Sequence, residues 1–310
     1  MFNLSKKELY LKNINEIYCE IENYRLINSN IKNKVSAILT PTAGLKKLNS
    51  RVLNQFKNLK YLISSSTGLT HLDLKYLAEK KIKVISLDSI KDTNTIKASS
   101  EFCLLLVLAS LRNYKASLEV VKSGNWRNFE KDLRSREIKN LKFGFLGFGR
   151  IGKNVSKVLH NLGGKIYYYD PFVSRINKNF KKINNLQLFL ENLDFLIISA
   201  KLNEKTLSIL NAKTIRYLKK GIKIINIARG ELIDEHVLLQ NIKKRKVRSY
   251  YTDVVRNEED ILNNKSKIIQ FSKNNSNVSV SPHVGGLTYD SELKALNRIL
   301  FKFSKNIKNK

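Results

Sequence analysis

The sequence predicts an α/β protein with two parallel sheets, and three observations support that prediction. Short apolar stretches alternate with helical patterns along most of the chain, which is typical of βαβ units. A glycine-rich turn, GFGRIG at 147–152, follows one such stretch and opens a helical pattern. The chain has 310 residues, which favours two domains over one core. We therefore expect two Rossmann-like domains, one flavodoxin-like and one dinucleotide-binding, with helices on both faces of each sheet.

The first hundred residues predict three strands of a smaller domain. A loop with one glycine, STGLTHLD at 66–73, leads from the second strand into a helix that ends near Lys81. The amphipathic tail after His283 predicts a helix that packs back onto this domain. The candidate strands are SAILT at 36–40, LKYLIS at 59–64 and KVISL at 83–87.

A second α/β series predicts the larger domain. Apolar residues recur at helical spacing from Ser99 to Lys122 and Gly124 follows, so we expect one long helix there. The expected boundaries are 1–98 with 286–310 for the smaller domain and 99–285 for the larger one. Six predicted strands follow the long helix, at 141–148, 165–170, 195–200, 223–228, 247–254 and 278–281.

Composition narrows the classes of function. The net charge of +31 is compatible with an anion or nucleic-acid binder, but the lysines are scattered and no basic block alternates with aromatic residues. We attribute the charge to AT-rich coding and expect no specific nucleic-acid partner. The two cysteines fit no metal spacing and indicate a reducing compartment.

No targeting or membrane segment is expected from the sequence. The first twenty residues lack the continuous apolar stretch of a signal peptide. The most apolar run, at 102–111, is about half as long as a membrane span. We therefore expect a cytoplasmic protein.

The glycine-rich turn predicts a dinucleotide site. Gly147 permits a tight turn, Gly149 lets a pyrophosphate approach the backbone, and Gly152 allows the helix to pack closely on the strand. Asp170 ends the next predicted strand and is placed to accept hydrogen bonds from the adenosine ribose, which favours NAD over NADP. Arg175, five residues further on, leaves the strictness of that preference open.

Three candidate side chains for hydride-transfer chemistry follow predicted strands. Exchange of a proton with the substrate oxygen suits histidine, and the planar fork of arginine suits a carboxylate or carbonyl. Arg229, Glu258 and His283 each lie beyond the end of a strand in the larger domain. Because ligands bind outside the carboxyl ends of parallel strands, we expect these three side chains to meet at the nicotinamide.

Together these motifs resemble the NAD-dependent D-2-hydroxyacid dehydrogenases, the family that includes phosphoglycerate, glyoxylate/hydroxypyruvate and D-lactate dehydrogenases. Order and spacing agree as well as the letters, and the similarity is strongest from Leu141 to Asp290. The matching segments are GFGRIG at 147–152, YYDP at 168–171, INIARGELIDE at 225–235, TDVVRNE at 252–258 and SPHVGG at 281–286.

The resemblance implies a role for each matching residue. Arg229 is the substrate-binding arginine, His283 the acid/base, and Glu258 the carboxylate paired with that histidine. The Thr67 and Gly68 amides correspond to a loop that holds the substrate carboxylate. The expected cofactor ligands are Gly147, Gly149, Arg150, Ile151, Gly152, Asp170, Ala200, Thr206, Ala228 and Asp253. The last of these corresponds to a residue near the nicotinamide carboxamide.

The implied reaction is the interconversion of a D-2-hydroxy acid and its 2-oxo acid by hydride transfer to or from NAD(H), with the substrate held between the domains. Three departures from the family leave the substrate's side group open: Ser66 replaces a loop glycine, and Lys201 and Glu259 replace prolines. We expect no metal and a homodimer formed through the nucleotide domain, with the 102–122 helix as the candidate interface. One alternative is an NAD(H)-sensing, corepressor-like interaction protein on the same scaffold.

Overall fold

The chain divides into two compact units built on parallel sheets. The first comprises Met1–Ile96 with Leu287–Lys310, and the second comprises Lys97–Gly286. The predicted α/β class with parallel sheets is confirmed. Arg175 and Glu259, on which two of the expectations rest, lie outside the described residues. The computed structural model describes residues 27–40, 48–69, 71–87, 95–174, 178–258 and 266–308.

The regular elements alternate along most of the chain. The strands are β1 (Ala37–Thr40), β2 (Tyr61–Ser64), β3 (Lys83–Ser86), β4 (Lys142–Leu146), β5 (Lys165–Tyr169), β6 (Phe180–Lys182), β7 (Phe195–Ile198), β8 (Ile222–Asn226), β9 (Val247–Thr252) and β10 (Val278–Val280). The α-helices are α1 (Ser29–Lys34), α2 (Ser50–Leu53), α3 (Leu74–Glu79), α4 (Ala98–Leu111), α5 (Tyr114–Lys122), α6 (Glu130–Leu133), α7 (Arg150–Asn161), α8 (Leu186–Leu190), α9 (Ala212–Ile215), α10 (Glu235–Lys243), α11 (Lys267–Lys273) and α12 (Tyr289–Lys308).

The sheet of the first unit, in the order β1-β2-β3, is covered on both faces. Successive residues of β2 point to opposite faces. Leu62 packs with residues of α2 and α3, whereas Tyr61 and Ile63 pack with Ile299 and Phe303 of α12. The rings of Tyr61 and Phe303 meet edge to face with centroids 5.2 Å apart. The C-terminal helix therefore completes the first unit, although it follows the second unit in sequence.

The second unit contains a seven-stranded parallel sheet in the order β10-β9-β8-β7-β4-β5-β6. Its central strands are buried on both faces: Ile197 belongs to one core cluster, and Leu196 and Ile198 belong to the other. The order reverses between β4 and β7, because β5 lies on one side of β4 and β7 on the other. In open α/β sheets such a reversal marks the crevice where ligands bind.

Two elements of this unit differ from the prediction. The single helix expected from Ser99 to Lys122 is two helices, because Asn113 adopts a left-handed conformation with φ 50° between α4 and α5. Asparagine tolerates this conformation better than most residues, and hydrophobic periodicity does not register it. The edge strand β6 was not predicted, since it has only three residues and two of them are lysines. None of the described helices is long and apolar enough to cross a membrane.

A buried lysine supports the corner between α4 and α5. Lys223 on β8 is 7% exposed. Its Nζ donates to the carbonyl of Ser110, with the Leu111 carbonyl at 3.5 Å and Asn113 Oδ1 at 3.4 Å. The last carbonyls of a helix lack the usual amide partner four residues on, and the ammonium adds to the 3.4 Å bond that the Ser110 carbonyl accepts from the Asn113 amide. Burial, with a smaller contribution from Arg248, lowers the pKa of Lys223 to about 8.

We predict that Lys223 makes stability depend on pH in an unusual direction. The native pKa of about 8 lies below the ordinary value of 10.5, so the unfolded chain binds more protons between these values and stability rises with pH. Urea titrations give the difference in free energy of unfolding between wild type and Lys223→Met. From about pH 7 to about pH 10 this difference should shift in favour of wild type by about 2 to 3 kcal/mol. A difference that stays constant would contradict this assignment.

Candidate active site

The glycine-rich turn joins β4 to α7. Gly147 has a left-handed φ of 87°, and a Cβ there would lie 2.4 Å from the Cα of Ala200. A Cβ on Gly152 would lie 3.0 Å from the Gly147 carbonyl oxygen. Gly149 differs, because no described heavy atom lies within 4 Å of its Cβ position. The first and third glycines therefore close the turn, and the second borders open space.

The start of α7 is built for an anion. Its N-cap residue is Gly149, which has no side chain to accept hydrogen bonds from the first turn. Helices α8, α9 and α10 begin instead with side-chain caps from Asn185, Asn211 and Asp234. The first N–H groups of α7 and the positive end of its dipole are therefore available to an anion such as a pyrophosphate. Helices α4 and α5 also begin without a side-chain cap, so the glycine-rich turn before α7 is the feature that indicates a ligand. The residues present thus fit a dinucleotide.

Asp170 follows β5 and lies beside the glycine-rich turn. Its Oδ2 accepts a 2.8 Å hydrogen bond from the Phe148 amide, and its Oδ1 accepts one of 2.9 Å from the Phe172 amide. A carboxylate has about four acceptor sites, so both oxygens keep capacity for further donors. The contact between Asp170 and the ribose stays a prediction, and the observed bonds fix the carboxylate next to the turn.

The structure brings His283 and Glu258 together. The Nδ1 of His283 lies 2.6 Å from Glu258 Oε2, and the other oxygen of Glu258 accepts from the Val255 amide at 3.0 Å. A carboxylate at Nδ1 fixes the ring orientation and leaves Nε2 as the nitrogen that can exchange a proton. The histidine side chain is 46% exposed, so this nitrogen belongs to an accessible group.

The loop that carries His283 is shaped by Asp253. This aspartate is 2% exposed and lies just after β9. Its Oδ1 accepts from Ser281 Oγ at 2.6 Å and from the Val284 amide at 3.0 Å, and its Oδ2 accepts from the Gly285 amide at 2.7 Å. These bonds surround His283, which has a left-handed φ of 55°. The contact of Asp253 with the nicotinamide stays a prediction, whereas its hold on the histidine loop is observed.

Arg229 lies in a turn organised by a buried amide. Asn226, the last residue of β8, accepts from the Ala228 amide at 3.0 Å and donates to the Arg229 carbonyl at 2.9 Å. The Arg229 guanidinium donates to the Ala228 carbonyl at 2.6 Å. A Cβ on Gly230 would lie 2.0 Å from the carbonyl carbon of Val255, so this turn packs directly on the loop that leads to Glu258.

The three candidate side chains occupy neighbouring strand ends. Arg229 follows β8, Glu258 follows β9 and His283 follows β10, and these strands are adjacent in the sheet. Parallel strands lie about 4.8 Å apart, so the three loops leave the same edge within about 10 Å. The glycine-rich turn leaves the same edge at β4, beyond β7. Within the described residues, no group of three or more His, Cys, Asp or Glu is placed to hold a metal ion.

Thr67 and Gly68 lie in the first unit, just after β2. Thr67 is exposed and Gly68 is half-buried. Ser66 donates its hydroxyl to the Gly68 carbonyl, which closes a tight loop around Thr67. Ser66, which stands where the family has a glycine, therefore stabilises the shape of this loop through its own hydrogen bond. Their role in substrate binding stays a prediction.

Some residues that organise the site were not predicted. Asn226 is an amide residue at the end of an apolar strand. A polar residue at such a position is the sequence feature that indicates its role in the turn. Glu231 and Glu235 accept from the Asn257 and Arg256 amides in the Glu258 loop, and both belong to the matching segment 225–235. Nothing in the sequence shows that they reach that loop.

The Thr206 hydroxyl forms hydrogen bonds inside the loop after β7. It donates to the Lys201 carbonyl at 2.7 Å and accepts from the Asn203 amide at 2.8 Å. The sequence predicts Thr206 as a cofactor ligand, and the structure shows how it holds this loop. Its contact with the cofactor stays a prediction.

A dehydrogenase needs a site for a dinucleotide and a group that exchanges a proton with the substrate oxygen. The second unit offers a candidate for each at one edge of its sheet: the glycine-rich turn and His283. The fold and the candidate site are those expected of a dinucleotide-dependent oxidoreductase.

Comparison with known proteins specifies the family. The profile of the D-isomer specific 2-hydroxyacid dehydrogenase NAD-binding domain matches residues 104–285, more than half of the chain. The protein belongs to this family, and the predicted resemblance, NAD cofactor and reaction class are confirmed. It is an NAD-dependent oxidoreductase that acts on the CH–OH group of 2-hydroxy acids.

Individual relatives agree with this assignment. A hydroxypyruvate reductase of Thermotoga maritima is 29% identical over 84% of this chain and 82% of the relative. A D-3-phosphoglycerate dehydrogenase of Synechocystis is 26% identical over 80% of this chain, which spans only 43% of that longer protein. The solved D-lactate dehydrogenase of Aquifex aeolicus, complexed with NAD and lactic acid, superposes with a TM-score of 0.80 at 24% identity, over 99% of this chain and 91% of the other. That last similarity shows a shared fold.

We predict that Gly149→Ala weakens cofactor binding and leaves the stability of the fold unchanged. The backbone of Gly149 has φ −75°, which alanine adopts, and its Cβ position is open, so the unfolding temperature should stay unchanged. The methyl group would occupy space needed by the pyrophosphate, so the Kd for NADH, measured by fluorescence, should rise at least about tenfold. Gly147→Ala is the matched control and should lower the unfolding temperature. Unchanged NADH affinity in Gly149→Ala would contradict the assignment.

Proposed function

We propose that the protein interconverts a D-2-hydroxy acid and its 2-oxo acid, with His283 as the acid/base and Glu258 as its partner. The observation that carries the proposal is the 2.6 Å contact between His283 Nδ1 and Glu258 Oε2 at the carboxyl edge of the sheet. Bound NADH supplies the hydride that no side chain can provide. In reduction, protonated His283 donates from Nε2 to the substrate oxygen, and in oxidation neutral His283 accepts that proton.

Arg229 binds and polarises the substrate in this proposal. Its guanidinium presents paired N–H donors whose geometry matches a carboxylate, and it also favours negative charge on the C2 oxygen. The Thr67 and Gly68 amides hold the substrate carboxylate. Because Ser66 alters the shape of that loop, the substrate's side group is best found by testing the acids named by the relatives: hydroxypyruvate, phosphohydroxypyruvate and pyruvate, with glyoxylate as the smallest member.

The cofactor ligands follow from the same edge of the sheet. The amides of the glycine-rich turn and of Arg150 and Ile151 hold the pyrophosphate. Asp170 accepts from the ribose, and Ala228 and Asp253 border the nicotinamide half. Ala200 contacts the turn through Gly147, and Thr206 contributes by holding the loop after β7. The complete proposed set is Gly147, Gly149, Arg150, Ile151, Gly152, Asp170, Ala200, Thr206, Ala228 and Asp253.

His283→Ala should abolish turnover and spare cofactor binding. NADH oxidation is followed by absorbance with each 2-oxo acid, and kcat on the best acid should fall by about 10²- to 10⁴-fold in the variant. The Kd for NADH should stay within about twofold, because the ring exchanges a proton and does not hold the dinucleotide. His236→Ala, an exposed histidine on α10, is the matched control and should keep wild-type kcat.

Two outcomes would contradict the proposal. Wild-type kcat in His283→Ala would remove the acid/base assignment. Tight NADH binding by the wild type without turnover of any acid would favour the NAD(H)-sensing alternative.

A homodimer is the second part of the proposal, and α5 offers the surface. None of the α5 residues is fully buried, and large apolar side chains of α5 and the following turn are exposed. Trp126, the only tryptophan of the chain, is 73% exposed, with Leu118 and Val121 nearby in sequence and also exposed. In a dimer with a two-fold axis, these side chains of both protomers would be buried at the contact. The apolar area removed from water would stabilise the dimer.

Trp126→Asp should convert the dimer to a monomer. A carboxylate buried at the two-fold contact carries a desolvation cost without a partner, so the dimer should dissociate at micromolar concentration. Sedimentation velocity measures the mass, and Trp126 fluorescence in the wild type should shift to longer wavelength on dilution. Leu188→Asp, at an exposed leucine of α8, is the matched control and should remain dimeric. A monomeric wild type would contradict the dimer.

We also propose a cytoplasmic location. Cys103 is a free cysteine within the core of the second unit. Burial raises the pKa of its thiol to about 12, so the thiolate that would react or bind a metal is suppressed. A buried thiol of this kind is typical of proteins from reducing compartments.

A further inference from the structure

The carboxylate that contacts His283 stands at the end of a strained turn. Asn257 has a left-handed φ of 54°, and this conformation directs the chain back so that Glu258 accepts from the Val255 amide at 3.0 Å. Asparagine tolerates the left-handed conformation better than most residues, but this conformation still costs some free energy. Partners outside the turn 255–258 would therefore stabilise it.

Two carboxylates from another segment supply those partners. Glu235 Oε1 accepts from the Arg256 amide at 2.8 Å, and Glu231 Oε1 accepts from the Asn257 amide at 3.0 Å. Both glutamates follow Arg229 closely in sequence. Hydrogen bonds from amides to ionised carboxylates are stronger than those between neutral groups. Two consecutive amides of the turn are thus held by carboxylate acceptors.

The Arg256 side chain anchors the same turn on its other side. Its guanidinium donates to Ser208 Oγ at 3.2 Å and to the Ile233 carbonyl at 3.3 Å. Burial raises the pKa of Glu235, and the Arg256 amide and charge oppose that effect. Burying a carboxylate costs free energy of desolvation, and the hydrogen bond from the Arg256 amide offsets part of that cost.

We propose that Glu235, assisted by Glu231, is a positioning residue that holds Glu258 against His283. Glu235 fixes the amide of Arg256, the turn places the Glu258 carboxylate at Nδ1, and the carboxylate orients the ring. The proposal rests on the acid/base role of His283 proposed above. It extends that site to residues that touch neither substrate nor cofactor.

The first test compares two substitutions of one residue. Glu235→Ala removes the acceptor, so kcat should fall by about ten- to a hundredfold, because displacement of the catalytic pair by about 1 Å has effects of that size. The KM for the 2-oxo acid and the Kd for NADH should change by less than about twofold. Glu235→Gln keeps a side-chain carbonyl in reach of the Arg256 amide and should recover most of kcat. Glu79→Ala removes the same charge from exposed α3 and should retain wild-type kcat.

A double-mutant cycle separates positioning from general loss of stability. If Glu235 acts through Glu258, then adding Glu235→Ala to Glu258→Gln should reduce kcat by less than about twofold further. An equal loss in both backgrounds would overturn the proposal, as would a kcat for Glu235→Ala within about twofold of wild type. Unfolding temperatures of all variants are measured beside the rates.

A spectroscopic readout keeps the proposal testable if no acid is turned over. The chain has four histidines, so the ring signals of His283 in ¹⁵N-histidine NMR spectra can be assigned with His283→Ala. The wild type should show an Nδ1 proton shifted downfield by its bond to Glu258, and Glu258→Gln should lose that shift. Glu235→Ala should weaken it and Glu235→Gln should preserve it. An unchanged shift in Glu235→Ala would overturn the positioning role, whereas failed turnover with the expected shifts would contradict only the proposed function.

Discussion

The strands described in the second unit all run in parallel, so the loops that follow them leave the sheet at the same edge. This constraint brings together residues that are far apart in sequence. The glycine-rich turn at 147–152 and His283 are separated by more than a hundred residues, yet both lie at carboxyl ends of strands in one sheet. Antiparallel pairing would send alternate loops to opposite edges and divide the site.

Carboxylates fix the loops at this edge. Asp170 holds amides beside the glycine-rich turn, Asp253 holds the loop of His283, and Glu235 holds the turn of Glu258. The chain has 57 basic residues and only 26 acidic ones. Several of these few acidic residues lie at this one edge of the sheet. A buried carboxylate can accept several N–H bonds at once, which lets one side chain organise a whole loop.

Sequence patterns predicted the elements whose physics is local. Continuous apolar runs predicted the central strands, which the structure confirms. The glycine spacing with Asp170 predicts the dinucleotide site, and the turn that it requires is observed. The pairing of His283 with Glu258 was predicted from the family resemblance, and the contact between them is observed. Each of these features depends either on the residues of a single segment or on motifs whose order along the chain matches that of the family.

Features that depend on contacts between segments were not predictable in the same way. The break at Asn113 depends on a backbone conformation that hydrophobic periodicity does not encode, and Lys223 supports that corner from a distant strand. The edge strand β6 forms because β5 offers it hydrogen bonds, not because its own residues favour a strand. The lone amide of Asn226 stands out in the sequence, but its partners do not, and the bond from the Arg256 amide to Glu235 is visible only in the structure.

The reaction proposed for this site passes a hydride between the cofactor and C2 of a 2-oxo acid. The most direct measurement follows deuterium from NADH labelled at C4 of the nicotinamide into the product, by mass spectrometry and chiral chromatography. Hydride transfer at this site should place deuterium at C2 of a 2-hydroxy acid of D configuration, from NADH labelled on one face only. Product without deuterium from either labelled face, or deuterium in the L isomer, would contradict it.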